Sequence, residues 1–395
     1  MGNNYVDNGY IVCKAIGDVV NNKQNIPIKC KTPDDLDSRI AFLEAHNLIT
    51  LFDFIVDKKD FEAFLSVDKR TELTDIIKQA VFKQIKYDLM SDSISNVFCA
   101  SGIRHIVLKG SRLKKYYPAN IVRTSNDIDI YIEKSDINIA QRVLQREGFE
   151  LDGIYQNQEF RYKKEPRYYI ELHTNMEGFS KEQKRILKGL ADNATKALGK
   201  RYELNDNDCY IYTLFHLYKH FVQSGVGVRM FLDVYLIRKN SELDFDYINP
   251  VLKKLGVDAF ETVITVMNSC MFEGKEVNDE LKDVIEFVFD SGIFGKVSSN
   301  LHLRRINANL KYQNSFERFK VDKGLSFSSM KKRYPVLVRY PFLYPFSFVH
   351  RFFYGIIYKR DVLKNSHNSK ELISKERVDR YKKIFETAQI QTKFK

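Results

Sequence analysis

Asp127 and Asp129 lie two residues apart in the run NDIDIYIEK, where acidic or aromatic residues alternate with isoleucine. Such alternation reads as a strand with one apolar face. The two carboxylates then project the same way, about 6.5 to 7 Å apart along the backbone. Two like charges on one face repel, and a divalent cation removes the repulsion. Hard oxygen ligands that leave room for substrate phosphates suit magnesium, with manganese as the alternative. Glu171 falls in a later β-like run, YYIELH, with Tyr169 and His173 on its own face. If the two strands are neighbours, Glu171 supplies a third carboxylate. Three such groups can hold two metal ions roughly 4 Å apart, one activating an attacking oxygen and the other stabilising a leaving phosphate.

Upstream, Gly110 and Ser111 close the β-like run HIVLK and open a segment with helical character. Glycine lets a phosphate approach the backbone, and Ser111 with the helix-end amides can donate hydrogen bonds to it. The plain role for Ser111 is a helix N-cap, which uses the same helix end. Lys109 can neutralise phosphate or simply be solvated at the strand end. Arg123, four residues before Asp127, suits either a triphosphate contact or an ion pair with the acidic cluster. His173 reaches the site by strand alternation, as a substrate contact or a hydrogen-bonded structural histidine. His216 and His220 have metal-ligand spacing but no nearby Glu or Cys, so they read as ordinary core or surface histidines. Arg229 and Asp233 are spaced for a helical salt bridge, and Lys219 is a weaker candidate for the same cleft.

These residues need a scaffold. Residues 1–32 are poorly patterned and give no element. The run from Thr32 to about residue 58 reads as a helix with Thr32 as N-cap and Pro33 in the first turn. Apolar residues at three- and four-residue spacing predict another helix over 73–90. The chain thus divides into the N-terminus (1–32), a helical region (33–100), a mixed α and β core (101–200), a helical domain (201–297) and a basic, aromatic-rich tail (298–395). Within the core, strands are expected at 105–109, over NDIDIYIEK (126–134), and at 150–155, 159–163 and 168–174, with a helix over 136–148 stopped by Gly148. The fold class is α+β: a small mixed β-sheet core with helices, flanked by N-terminal and C-terminal helical regions.

Composition narrows the partners. The 395 residues carry 63 Lys and Arg against 51 Asp and Glu, a net +12, and 44% are hydrophobic, which excludes disorder over the whole length. Residues 295–395 hold 23 basic and 7 acidic residues, +16, leaving −4 for residues 1–294. The five dispersed cysteines suggest neither a disulfide framework nor a zinc knuckle. The N-terminus lacks a signal-peptide pattern, and no transmembrane segment is expected. A cytoplasmic location follows, with peripheral membrane contact open. Ten aromatics between Met330 and Arg360, flanked by bases, suit packing on the rest of the chain, stacking on single-stranded nucleic acid, or lying at an anionic membrane surface. Residues 298–395 are therefore a candidate surface for an anionic partner.

The order of strand, Gly-Ser, helix, strand with Asp-x-Asp and later strand with Glu resembles the polymerase-β-like nucleotidyltransferase superfamily. More closely, LKG, Arg123, NDIDIYI, Gly148-Phe149, IELH and RMFLDVYLI at 229–237 resemble the bacterial family described as uncharacterised nucleotidyltransferase, over roughly residues 33–290. The resemblance implies that Asp127, Asp129 and Glu171 bind Mg2+, with Glu171 also the base for the acceptor hydroxyl. It implies that Gly110 and Ser111 hold the β- and γ-phosphates, and it favours Arg229 and Asp233 as a pair that orients the helical domain over the nucleotide; Lys109 and Arg123 stay candidate nucleotide contacts, and His173, Lys219, Arg229 and Asp233 candidate substrate contacts. The implied reaction moves a nucleoside monophosphate from a nucleoside triphosphate, ATP by default, to an acceptor, releasing pyrophosphate. The acceptor is open among a small molecule, a sugar or lipid intermediate, a protein and RNA. The competing reading is a catalytically silent protein of the same fold that uses the basic region to bind RNA, membrane or a partner.

Overall fold

The isoleucines of NDIDIYIEK do set one face of a sheet. A computed structural model describes residues 2–21, 27–155, 159–165, 168–176, 178–223, 225–292, 325, 327–334, 336–358 and 375–390. Among them, β1 (His105–Val107), β2 (Ile128–Ile132), β3 (Glu150–Tyr155), β4 (Glu159–Lys164), β5 (Tyr168–His173), β6 (Thr195–Leu198) and β7 (Arg201–Glu203) form one mixed sheet. The order is β3-β4-β5-β2-β1-β7-β6, with β2 parallel to β5 and β1 parallel to β7. The α+β class expected from the sequence is the one observed. Sequence patterning gives no hint of β6 and β7: β6 is exposed throughout and lacks an apolar face.

Two compact units are present. Residues 1–221 with 226–293 form the first, and residues 222–225 with 294–395 the second. In the first, α1 spans Gly2–Val20, within the stretch whose sequence gives no element. Its Val12, Cys13 and Ile16 are fully buried, so tertiary packing rather than a caps-and-charges signature defines it. Helix α2 (Pro33–Ala45) begins as expected, with Thr32 and Asp35 in a reciprocal capping box and Pro33 at its start. The predicted single helix to residue 58 is broken. Asn47 adopts φ 54°, and the Leu48 amide donates to Leu43 O at 2.8 Å, the left-handed ending that closes a helix. Short helices α3 (Phe52–Ile55) and α4 (Lys58–Phe64) follow.

Helix α5 (Val67–Ala100) is longer than the 73–90 predicted, capped by Ser66. After α6 (Gly110–Leu113) and α7 (Ile137–Arg146), the chain runs through β3 to β5 and α8 (Lys181–Asp192). Tyr87, Ile94 and Phe98 of α5 and Ala140, Val143 and Leu144 of α7 pack on Ile128, Ile130, Ile132, Ile170 and Leu172. Burying β2 and β5 through these residues turns Asp129, Glu171 and His173 to the opposite face. Five more helices, α9 (Asp206–Gln223), α10 (Val228–Asn240), α11 (Phe245–Leu255), α12 (Asp258–Asn268) and α13 (Asp279–Ser291), follow, with a π-helical turn at Ser269–Glu273.

In the second unit, α14 (Phe327–Arg333), α15 (Val336–Arg339) and α16 (Tyr344–Tyr358) surround Leu325, Met330 and Leu337. Pro341 opens a short 3-10 turn, and Pro345 sits in the first turn of α16, where the missing amide is tolerated. Helix α17 spans Lys375–Thr387. The rest of the basic region, with Pro335, lies outside the described residues. No helix among the described residues is long and apolar enough to cross a membrane.

Candidate active site

Parallel pairing of β2 and β5 sets Asp129 directly opposite Glu171, and Tyr131 opposite His173. Ligand atoms of Asp129, Glu171 and His173 all lie within 4.8 Å of one another. His173 Nε2 is 2.7 Å from Asp129 Oδ1, and Lys109 Nζ donates to the same oxygen at 3.0 Å. Asp129 is only 4% exposed. Burial pushes its carboxyl up, but the Lys109 charge and the His173 hydrogen bond outweigh burial and hold it far below the usual range. At Glu171 the Lys109 charge pulls the same way but is outweighed. Burial first, then the charges of Asp129, Asp127 and Glu159, push its carboxyl up to about 8.

Asp127 occupies the bend one residue ahead of β2, partly exposed and outside the 4.8 Å group. Its carboxyl is raised by burial and by Asp129, against the opposing pull of Lys109, Arg229 and Arg123. Helix α5 fixes this bend from below. Tyr87 Oη donates to Asn126 O and Lys83 Nζ to Asn126 Oδ1, both at 2.7 Å, while Gln84 Oε1 accepts from the Ser125 amide at 2.6 Å.

The turn from β1 into α6 is strained at its centre. Lys109 has φ 50° and ψ −114°, a conformation costing a non-glycine residue roughly 1–3 kcal/mol. It delivers the ammonium group to Asp129. Gly110 is needed on steric grounds, because a Cβ there would fall 2.3 Å from Ser125 Oγ and 3.1 Å from an Arg123 guanidinium nitrogen. The side chain of Ser111 lies outside what is described.

Arg123 is engaged elsewhere than the acidic pair. Its Nε and Nη2 donate to the two carboxylate oxygens of Asp233 on α10, at 3.2 and 2.9 Å, and its Nη1 donates to Ser125 Oγ at 2.7 Å. Tyr117 Oη donates to Asp233 Oδ1 at 2.7 Å. The helical salt bridge that spacing suggests between Arg229 and Asp233 is replaced by contacts across the molecule: Arg229 Nη1 donates to Thr124 O at 2.6 Å. Both residues therefore clamp α10 to the segment that leads into β2. On α9, the charge of His216 helps lower the Asp129 carboxyl, so this histidine stands beside the site, its ring 4.4 Å from that of His220. Lys219, partly buried, lies one turn along the same helix face.

The structure thus brings together Lys109, Gly110, Asp127, Asp129, Glu171 and His173, and uses Arg123, Arg229 and Asp233 to hold the surrounding elements. Sequence reading overlooks Tyr117, Ser125 and Gln84, which support the site through contacts between distant segments. Ser125 lies inside RTSND and is the one that proximity to Asp127 flags. Two carboxylates and an imidazole form a donor set that fits a divalent cation. The strained turn adjoins this set through the Lys109 ammonium on Asp129. A family model described as uncharacterised nucleotidyltransferase matches residues 32–273. Neither a curated protein nor a solved structure matches the chain.

Proposed function

The chain belongs to the uncharacterised nucleotidyltransferase family, and from that membership we propose that it transfers a nucleoside monophosphate from a nucleoside triphosphate to an acceptor hydroxyl. The observation that carries this reading is the register of β2 and β5, which sets Asp129 against Glu171 beside the Lys109-Gly110 turn. Asp129 and Glu171, with Asp127 at the rim and His173 in support, would hold the divalent cation. When bound, that ion supplies charge neutralisation for the phosphates; Mg2+ is the default, and the imidazole favours Mn2+ as a substitute.

The chain's own residues have distinct tasks. Lys109 offers a cation to phosphate once Asp129 has an ion as partner, and Gly110 lets the phosphate approach the backbone. The acceptor oxygen attacks the α-phosphorus as the bond to the bridging oxygen breaks, and pyrophosphate leaves. Burial and the neighbouring carboxylates keep Glu171 protonated in the free protein; once that proton is displaced by a bound cation, its carboxylate is the group placed to take the acceptor proton. Arg123 and Asp233 act as positioning residues, keeping α10 against the bend that carries Asp127. ATP is the default donor.

Incubation of the protein with Mg2+ or Mn2+, each labelled triphosphate and a cell extract tests the reading. Transfer of label that disappears in Asp129→Ala is the expected result. Absence of both transfer and metal-dependent triphosphate binding in the wild type would favour the catalytically silent reading.

A further inference from the structure

The second unit presents apolar side chains that its own core does not use. Tyr344 and Phe348, four residues apart and so on one face of α16, pack with the buried Leu325, Met330 and Leu337. A second set at helical spacing, Phe342, Phe346 and Val349, is 70%, 73% and 53% exposed. Val336 and Tyr340, also four apart, extend the exposed set along α15 and the following turn. Exposed apolar residues concentrated in so short a stretch mark a contact surface rather than the scattered exposure of an ordinary exterior.

Charge identifies the class of partner. From Lys323 to Arg360 the sequence contains eight Lys or Arg residues and no Asp or Glu. Lys331, Arg333 and Arg339 are exposed. Lys331 Nζ lies 4.4 Å from the centre of the Phe327 ring and the Arg339 guanidinium 5.6 Å from that of Tyr340, so cations and aromatics are interleaved. Arg333 stands near enough to Arg351 that, after burial, the second charge lowers its pKa. Cations gathered this way, without an acidic residue in the segment, match a partner that is uniformly negative.

We propose that residues 336–349 form a membrane-interface surface, with Phe342 and Phe346 inserted at the headgroup and acyl boundary of an anionic bilayer and the neighbouring Lys and Arg on its headgroups. The aliphatic Val336 and Val349 belong to the exposed set and have no face for stacking on bases, whereas acyl chains accept them as readily as phenyl rings. Helix α16 has 15 residues, about 22 Å at 1.5 Å per residue, short of the ~30 Å hydrocarbon core. Contact is therefore in the plane of the interface. This surface is independent of the transferase chemistry.

The protein contains no tryptophan, so Phe346→Trp in the full chain introduces a single fluorescent reporter. Its emission should shift to the blue and be quenched by bromine-labelled acyl chains when phosphatidylglycerol is included in phosphatidylcholine vesicles, and not with phosphatidylcholine alone. Raising the salt should reverse the change. Vesicle co-sedimentation should fall about tenfold or more in Phe342→Ser/Phe346→Ser and about fivefold in Arg339→Gln. Unchanged circular dichroism of these exposed-site variants would exclude misfolding as the cause. The proposal is overturned if anionic vesicles give no acyl quenching, or if the double serine variant binds them like the wild type. It is equally overturned if single-stranded RNA, or self-association at rising protein concentration, produces the spectral shift while vesicles do not.

Discussion

Asp129 Oδ1 takes hydrogen bonds from both Lys109 and His173, whereas at Glu171, opposite it, burial and three negative neighbours outweigh the Lys109 charge. The two carboxylates therefore respond to pH with opposite signs. The stabilising contribution of Asp129, whose folded pKa is depressed, is present above its unfolded value near 4 and lost as pH falls through the folded one. Glu171 is raised from 4.5 to about 8. Between those values the folded state keeps a proton that the unfolded state has released, so stability falls as pH rises through this window. In metal-free buffer, denaturant titrations at pH 5 and pH 8 should show a loss on the order of 2–4 kcal/mol. Glu171→Gln should remove most of that slope, with the raised Asp127 contributing in the same direction. A wild-type stability flat over this range would contradict the environment assigned to Glu171. The buried pair Arg123 and Asp233 gives a second expectation. Asp233→Ala leaves the guanidinium uncompensated and should cost about 3–5 kcal/mol in thermal or chemical denaturation, with Arg123→Met/Asp233→Leu recovering much of the loss. At Gly110, alanine must displace the Ser125 hydroxyl that Arg123 holds. A destabilisation of about 1–3 kcal/mol is expected in the same measurement.

At the scale of elements, what could be read from sequence was what local periodicity encodes. Strand β2 announces itself because one face must be apolar to cover α5 and α7 and the other carries acids. Strands β3 to β5 fall within a residue or two of their predicted spans, and α2 starts at its predicted cap. The pairing of β2 with β5 is different. Periodicity shows that Glu171 shares a face with His173, but only the sheet register sets it opposite Asp129. For the same reason Arg123 was legible as a cation near the acidic pair, while its true partner Asp233 lies 110 residues away in the chain. Helix α1 owes its definition to burial against later elements. Asn47 is an intermediate case, since the apolar spacing continues past it and the helix ends only because its backbone turns left-handed. Asn47→Gly should therefore be tolerated. Asn47→Ile, a β-branched residue at φ 54°, should cost about 1–2 kcal/mol by thermal denaturation. Equal stability of the two variants would show that the ending is not set there.

For the whole molecule, the uneven charge separates two questions that the net +12 merges. Residues 1–294, at −4, carry the candidate site and cannot draw triphosphate by overall field. Within that site the cations are already committed: Lys109 to Asp129, Arg123 to Asp233, and Arg229 to Thr124 O among its contacts. A divalent ion is the natural remedy, since it would replace Lys109 as the partner of Asp129 and bring Glu171 to its charged form. Because that carboxyl holds a proton up to about pH 8, binding the ion must release it, so affinity should rise with pH. Adding Mg2+ or Mn2+ at 100 times its dissociation constant should stabilise the fold by ~2.7 kcal/mol, seen as a rise of a few degrees in melting temperature. The concentration required should be lower at pH 8 than at pH 6. Asp129→Ala, whatever its own melting temperature, should show no such increment. An increment that persists in this variant, or one that does not depend on pH, would place the ion away from Asp129 and Glu171.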